Sequence, residues 1–576
     1  MTVRWIMENV KTEQKKKIWP WAALAAVLVL AAAAVLCWIL WPRPLVTAQA
    51  FVAADLETAP IYNEEGARDG ELVRGSTVTY VVEEEDEEHP GMLRLVMSGA
   101  EGEEIFEDEV TFAWIDAANL TDDASKVVQT REMYAYNTVH LLDQAGAVPG
   151  ELVEKGEKLT VVGFEGLDET GAVARYIVTA TAADGTQTQG YLRAGYLRRT
   201  QEEAAALYDE ELQNFHAQRG DSWGGGDAAG LDYSPREKGK FADNVMPDEV
   251  KALYLNNEFI PDVDTYLDIA DGCGINAFVI DIQDGGAVGY ASPTMEKYSP
   301  TAYRAAWNEL EEYRVAVQKI KDAGYYVIGR ITAFNDPYFA EDHPECLIAS
   351  PGSGKPLKIG GMYWPSVYQR YVWQYKVDLA LEAVELMGFN EIQFDYCRFP
   401  DGTWWFDDDE IDYRNPYNES KAQAVQRFLM YACDRLHEAG AYVSADVFGE
   451  CAEDYVCAYG QYWPAITNVV DAISAMPYPD HYGASGDWLP WEHPYETLYA
   501  FGTKAAQRQT EVPTPGAVRT WIQAYSAIRE PYTYYGPNQI AAQIEALRDT
   551  GNTGGYMTWN GASSISKYYD IQSALD

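Results

Sequence analysis

Residues 391–396, Glu-Ile-Gln-Phe-Asp-Tyr, follow Gly388-Phe389-Asn390 and run on into Cys397-Arg398-Phe399-Pro400. They read as a short strand. Successive strand residues point to opposite faces, so Gln393 and Asp395 share one face while Ile392 and Phe394 share the other. A strand with apolar residues on one side and a carboxylate at its C-terminal end is what a barrel enzyme presents to its active-site rim.

Seven similar runs surround it: KALYLN (251–256), NAFVIDI (276–282), YYVIGRITAF (325–334), AYVSADVF (441–448), DAISAMPY (471–478), VRTWIQAY (518–525) and GGYMTWN (554–560). Most are separated by helical patterns, and helices such as 306–324 and 425–440 end in Gly just before the next strand, as C-caps do. Eight such units over 250–576 predict an α/β fold, a (β/α)₈ TIM barrel with enlarged loops. Parity then places Asp281 opposite Ile280 and Ile282. It pairs Arg330 with Thr332, Ser444 with Asp446, and Arg519 with Trp521 and Gln523. Three acids, Asp281, Asp395 and Asp446, thus converge at one rim from separate strands. Buried unpaired carboxylates are costly, which favours a site over a stability network.

The run 388–400 resembles the "GF-x-EIQFDY-x-RFP" signature of a bacterial family of glycosyl hydrolases, a TIM barrel distantly similar to the α-amylase clan. Asn276–Asp281, Gly329-Arg330-Ile331, Ser444–Gly449, Pro477-Tyr478-Pro479-x-His481-Tyr482 and Arg519-x-Trp521-x-Gln523 match as well, covering nearly all of 250–570. The resemblance implies hydrolysis of glycosidic bonds in a polysaccharide or oligosaccharide by two carboxyl groups, one protonated and one ionised. It implies Asp395 as nucleophile, held ionised by Arg398 and Arg330, and Asp446 as first choice for general acid, with Glu450 second. Asp281, Asp284, Tyr478, His481, Trp521, Gln523 and Trp559 would line the sugar subsites. Two departures stand out. The second-strand motif, "D-I-K-D-D" in the family, is Asp281-Ile282-Gln283-Asp284-Gly285 here, which removes a cation that could contact substrate. The clan's Arg two residues before the nucleophile is Gln393. A non-catalytic glycan-binding barrel and a structural cell-envelope protein are the alternatives.

Upstream, residues 18–41 are 24 residues without a charge, with Trp19, Trp21, Trp38 and Trp41 near the ends. A helix of that length spans the hydrocarbon core of a bilayer. Lys11, Lys15, Lys16 and Lys17 precede it, and only Arg43 follows before a long acidic stretch, so the positive-inside rule puts residues 1–17 in the cytoplasm and the rest outside. Ala48-Gln49-Ala50 also suits a signal-peptide cleavage site, but the apolar run is longer than a usual signal core, which favours an uncleaved anchor.

Residues 45–123 and 127–199 lack helical periodicity and repeat one another. Gly70-Glu71-Leu72-Val73 matches Gly150-Glu151-Leu152-Val153, and Trp114–Leu120 matches Tyr191–Leu197. Both resemble bacterial SH3-like domains, which implies either cell-wall binding or a spacer role. Residues 200–249 read as a short helix over 201–219 and a Gly-, Asp- and Ser-rich stretch that is either a linker or an irregular lead-in.

The composition narrows the field further. With 43 Lys+Arg against 89 Asp+Glu, a formal net charge of −46, the chain repels nucleic acid. The 41 Tyr and 17 Trp supply rings that can stack on sugars. Seven cysteines make no disulfide scaffold, though Cys451 and Cys457 could pair. No cysteine–histidine spacing suits zinc, and neither GxGxxG after a strand nor a P-loop occurs, so neither metal nor cofactor is expected. Protease added to intact cells is expected to degrade the barrel and leave a small membrane-bound stub. A barrel protected until lysis would reverse the orientation.

Overall fold

The computed structural model describes residues 44–576 except 54–57, 83–88, 99–104, 108–109, 123–126, 128–131, 145, 147–148, 168–172, 183, 207–218, 220–223 and 408. The apolar span 18–41 lies outside the described residues. Among those described, no helix is long and apolar enough to cross a membrane. The chain forms two compact units, one drawn from Met1–Met133, Leu159–Thr179 and Leu192–Gly195, the other from Tyr134–Lys158, Ala180–Tyr191 and Tyr196–Asp576.

Two small seven-stranded sheets precede the barrel. The first runs in the order Arg68–Val73, Thr58–Tyr62, Thr111–Asp116, Met92–Ser98, Thr77–Val81, Thr47–Val52, Leu120–Thr121. The second runs Pro149–Val153, Val139–Leu142, Gln187–Arg193, Val173–Thr181, Lys158–Leu167, Glu132–Ala135, Leu197–Arg198. By position along the chain, the two orders are the same permutation. The repeated "GELV" lies in the third strand of each set. The repeated closing motif crosses from the sixth strand through a 3₁₀ turn, Ala117–Asn119 or Ala194–Tyr196, into the seventh. The sequence repeat is therefore a repeat of topology, consistent with two SH3-like domains.

The C-terminal sheet holds β1 (Val250–Leu255), β2 (Ala277–Asp284), β3 (Tyr326–Thr332), β4 (Glu391–Asp395), β5 (Tyr442–Phe448), β6 (Ala472–Met476), β7 (Thr520–Gln523) and β8 (Gly555–Trp559). All neighbours pair in parallel. Closure comes through the seventh run, where Ala517–Val518 pairs with β6, the Arg519 amide bonds Ile473 O at 3.0 Å, and β7 pairs with β8. The helices that follow the strands in turn are α1 (Val263–Asp271), α2 (Leu310–Asp322), α3 (Arg370–Met387), α4 (Lys421–Glu438), α5 (Trp463–Thr467), α6 (Pro494–Gln509), α7 (Pro537–Asp549) and α8 (Ile565–Ile571). Their ends obey local rules. Ser420 and Gln423 form a capping box on α4. Gly388 ends α3 at φ 65°, where a side chain would be strained, and its amide bonds Val384 O at 2.8 Å.

The inward residues of β4 stack three levels of the interior, as in a layered barrel core. At the N-terminal end, Glu391 accepts hydrogen bonds from Arg519 (2.6 Å), Ser444 (2.5 Å) and Tyr326 (3.0 Å). In the middle, Gln393 Nε2 donates to Ser474 Oγ at 3.2 Å. Asp395 stands at the mouth.

Of the two readings of the Gly-, Asp- and Ser-rich stretch, the packing fits the irregular lead-in and not the linker. Ala228, Leu231 and Tyr233 are buried in a cluster with Ala422, Val456, Tyr462, Ala465 and Val512. Phe241 and Met246 pack onto the interior cluster that includes Val250, Tyr326 and Tyr442. Of the helix expected over 201–219, the described portion is Gln201–Ala205. Cys451 and Cys457 are buried free thiols rather than a disulfide, and Cys457 Sγ donates to Gln461 O at 3.2 Å.

Lys238 ties this lead-in to the end of α5, donating to Thr467 O (3.0 Å), Asn468 O (3.0 Å) and Val470 O (2.7 Å). A cation here satisfies carbonyls that the helix end leaves open. Lys238→Met is expected to cost about 1–3 kcal/mol in denaturant unfolding. An unchanged midpoint would mean that water replaces the amine without loss.

Candidate active site at the barrel mouth

Arg330 rises from β3 into the barrel axis, 2 % exposed, with four carboxylates around it. Its guanidinium lies 2.7 Å from Asp281, 3.3 Å from Asp284, 2.5 Å from Asp395 and 3.7 Å from Asp446. Trp559 on β8 presents its ring 5.2 Å from the guanidinium carbon, and Tyr254 on β1 presents its ring at 5.9 Å. The Tyr254 hydroxyl donates to Asp281. Trp521 on β7 donates its indole N–H to Asp446 Oδ1 at 2.7 Å.

One cation cannot neutralise four carboxylates. Burial raises the Asp281 pKa to about 7 even against the pull of Arg330. Burial, and then the charge of neighbouring Asp395, push Asp446 well above the usual carboxylate range. Asp446 Oδ2 and Arg330 Nε have no hydrogen-bond partner. Asp395 differs from Asp446: its Oδ2 takes the short Arg330 contact and its Oδ1 accepts the Tyr396 amide at 2.5 Å. The register pairs Phe394 with Ala445, so Asp395 and Asp446 stand at one level on adjacent strands.

Other expected residues are placed differently. Arg398 does not reach Asp395. The backbone turns at Tyr396, φ 49°, and sends Arg398 to Phe399 O (3.1 Å) and Asp401 (3.3 and 3.4 Å), among the rings of Tyr396, Phe448 and Tyr459. Among the described residues, Arg330 alone supplies an ion pair to Asp395. Gln283 is not at the mouth either. A register shift between Asp281 and Gln283 swaps the faces of β2, so Gln283 points outward and Asp284 inward. Gln283 is fully buried, accepts from Lys376 of α3 at 2.7 Å and donates to Asp336 at 2.8 Å. The departure at 283 therefore takes no cation from the mouth.

Glu450, in the 3₁₀ turn after β5, accepts from Tyr455 at 2.8 Å and lies 3.9 Å from Arg219. Gln523 is fully buried and occupied with the backbone: Asp480 N donates to its Oε1 at 3.2 Å, and its Nε2 donates to Tyr525 O at 3.2 Å. It holds the loop after β6 rather than an open subsite. Tyr478 is buried beside Trp559, rings 6.4 Å apart and nearly parallel, with its hydroxyl unpartnered. His481 is exposed and pairs with Asp480 at 2.8 Å.

Three residues were not expected. Tyr254 was readable as an inward aromatic on β1, though its reach to Asp281 was not. Tyr396 carries a left-handed backbone that is rare for a bulky side chain, and such strain clusters at functional sites. Asp480 sits inside the matched motif. Burial pushes its pKa up, but His481, Tyr525 and the Ile528 amide outweigh this and hold it below the ordinary value.

The raised pKa of Asp281 gives a pH test. Between about pH 4 and 7 the folded chain binds a proton here that the unfolded chain has released, so the contribution is fully present below about 4 and is lost as pH rises through about 7. Melting temperatures of wild type and Asp281→Asn, compared from pH 5 to 8, should diverge, with the wild type falling relative to the variant. Parallel curves would show that Asp281 stays ionised throughout.

Residues 252–565 match a family described as "Putative glycosyl hydrolase domain". No protein with a curated description matches the chain. Similar solved structures include a hypothetical protein from Ruminiclostridium thermocellum ATCC 27405, 32% identical over 34% of this chain and 97% of its own, TM-score 0.29. The PgaB (BpsB) glycoside hydrolase domain from Bordetella bronchiseptica is 13% identical over 57% of this chain and 98% of its own, TM-score 0.41. The Flavobacterium johnsoniae chitobiase is 12% identical over 57% of this chain and 48% of its own, TM-score 0.38. With more than half of its length matched by the family model over residues 252–565, the chain belongs to that glycosyl hydrolase domain family.

Proposed function

We propose that the chain is a membrane-anchored glycoside hydrolase acting outside the cytoplasm on a cell-surface or environmental glycan, with Asp395 and Asp446 as its working pair. The observation that carries this reading is their unequal electrostatics. Asp395 is salt-bridged to Arg330, whereas Asp446 is pushed to hold its proton and has an unpartnered Oδ2. Glycoside hydrolysis needs one carboxyl group in each state.

Asp446 protonates the glycosidic oxygen as its bond to the anomeric carbon breaks, and the Asp395 carboxylate meets the oxocarbenium-like centre. Adjacent parallel strands lie roughly 4.8 Å apart. That favours the short carboxyl spacing, about 5–5.5 Å, of the two-step retaining route. Asp395 then forms a glycosyl ester. Water, losing its proton to Asp446, cleaves the ester and restores both groups. Arg330 pairs with the Asp395 carboxylate, and Trp521 orients Asp446 through Oδ1. The SH3-like repeats would hold the enzyme near cell wall or act as a spacer.

Asp395→Asn should abolish hydrolysis while preserving the fold, because it keeps shape but removes the attacking charge. Asp446→Asn should lose about 10²–10⁴-fold on natural glycans, with partial sparing on aryl glycosides whose leaving group needs little protonation. Should Glu450→Gln show that sparing instead, the acid lies one turn further along. Full activity in both Asp variants would remove the assignment, and a wild type that binds glycans but cleaves none would leave a binding barrel.

A further inference from the structure

The exposed aromatic residues are unevenly distributed over the barrel. Among the described residues, its three exposed tryptophans, Trp307, Trp405 and Trp488, all lie on loops that follow the C-terminal ends of strands β2, β4 and β6. Among the described residues, no loop from one of the barrel helices α1–α7 to the next strand exposes a large apolar side chain, and the lead-in to β1 exposes one, Val245. Trp405 is the extreme case, 80% exposed.

Its mounting is packed on both sides. The 3₁₀ turn Thr403–Trp405 is anchored by buried Thr403, and by Trp404 packed edge-on to Tyr459 at 5.8 Å. Gly402, φ 84°, lies under the indole, where an added Cβ would sit 3.3 Å from Trp405 Cδ1 and 3.9 Å from Ile359. Ile359 belongs to the hairpin Lys358–Ile359/Met362–Tyr363, which adds exposed Met362 and Tyr363. Contacts run unbroken back to the acids: Trp404 to Tyr459, Tyr459 to Arg398, Arg398 to Tyr396, and Tyr396 through its amide to Asp395. Asp401, with about half its side chain exposed, places carboxylate oxygens on this loop.

An indole face beside hydrogen-bond acceptors matches a sugar ring, apolar on its face and hydroxylated at its edge. A lipid or a protein core would find the acceptors uncompensated. Four carboxylates share one Arg330 at the mouth, and the whole chain carries −46, so an acidic polymer is repelled. We propose that the loops after β3 and β4 form a platform for a glycan chain without acidic groups, with Trp405 as its outer stacking surface. The substrate is then a polymer held over several consecutive rings. This deepens the hydrolase reading and rests on it for the reaction.

The test uses full-length Asp395→Asn protein, in which turnover is blocked, in native affinity gels containing glycol chitin, hydroxyethyl-cellulose, soluble starch or polygalacturonate. Retardation is expected in at least one of the three uncharged glycans and not in polygalacturonate. Adding Trp405→Ala should weaken that binding about tenfold. Adding Tyr499→Ala, an exposed ring on α6, should leave it unchanged. Equal binding with and without Trp405, binding to polygalacturonate alone, or no retardation in any gel would overturn the platform. Hydrolysis is scored separately: if Asp395→Asn still cleaves, the catalytic assignment falls while the platform stands.

Discussion

The Arg330 guanidinium is the contact on which the mouth of this barrel depends. Taking a carboxylate out of water costs several kcal/mol even after relaxation, and of the four gathered here on the ends of three strands, Asp281, Asp395 and Asp446 are buried. They are tolerable together because one planar fork reaches all of them and because two of them take up protons more readily than usual. The same burial that makes the cluster expensive raises the proton affinity of Asp446, which stands beside the Asp395–Arg330 ion pair.

The surrounding architecture serves that cluster. Tyr254, Trp521, Tyr478 and Trp559 come from β1, β7, the segment after β6, and β8, and wall it with rings. Lys376, fully buried, stands behind the wall with Gln283 and Asp336. It braces the bulged end of β2 from outside, where it leaves the charge balance inside to Arg330.

Much of this was legible because regular strands alternate without exception. Parity brought Asp281, Asp395 and Asp446 to one rim, and the glycines after the helical runs separated the units. What failed to show was wherever the backbone departs from regularity. The bulge in β2 exchanges the faces of Gln283 and Asp284, and no composition signal marks it. The left-handed turn at Tyr396 carries Arg398 away from Asp395, although three residues of sequence make them look like partners. The lead-in stayed open for another reason: its Gly, Asp and Ser content suits a linker as well. Yet Tyr233 shares its cluster with Ala465, and Lys238 bonds Thr467 O, both on α5 more than two hundred residues away, which no local pattern encodes.

That lead-in has a consequence for the barrel itself. Phe241 and Met246 lie against the inner layer at the N-terminal end, and Met246 Sδ receives an N–H from Arg519 at 3.3 Å. The lead-in thus caps the Arg519 side of the buried Glu391–Arg519 ion pair, 2.6 Å long, along with the apolar layer around it. Removing it would bring water to that pair and weaken it, since the attraction between opposite charges falls as the surrounding dielectric rises.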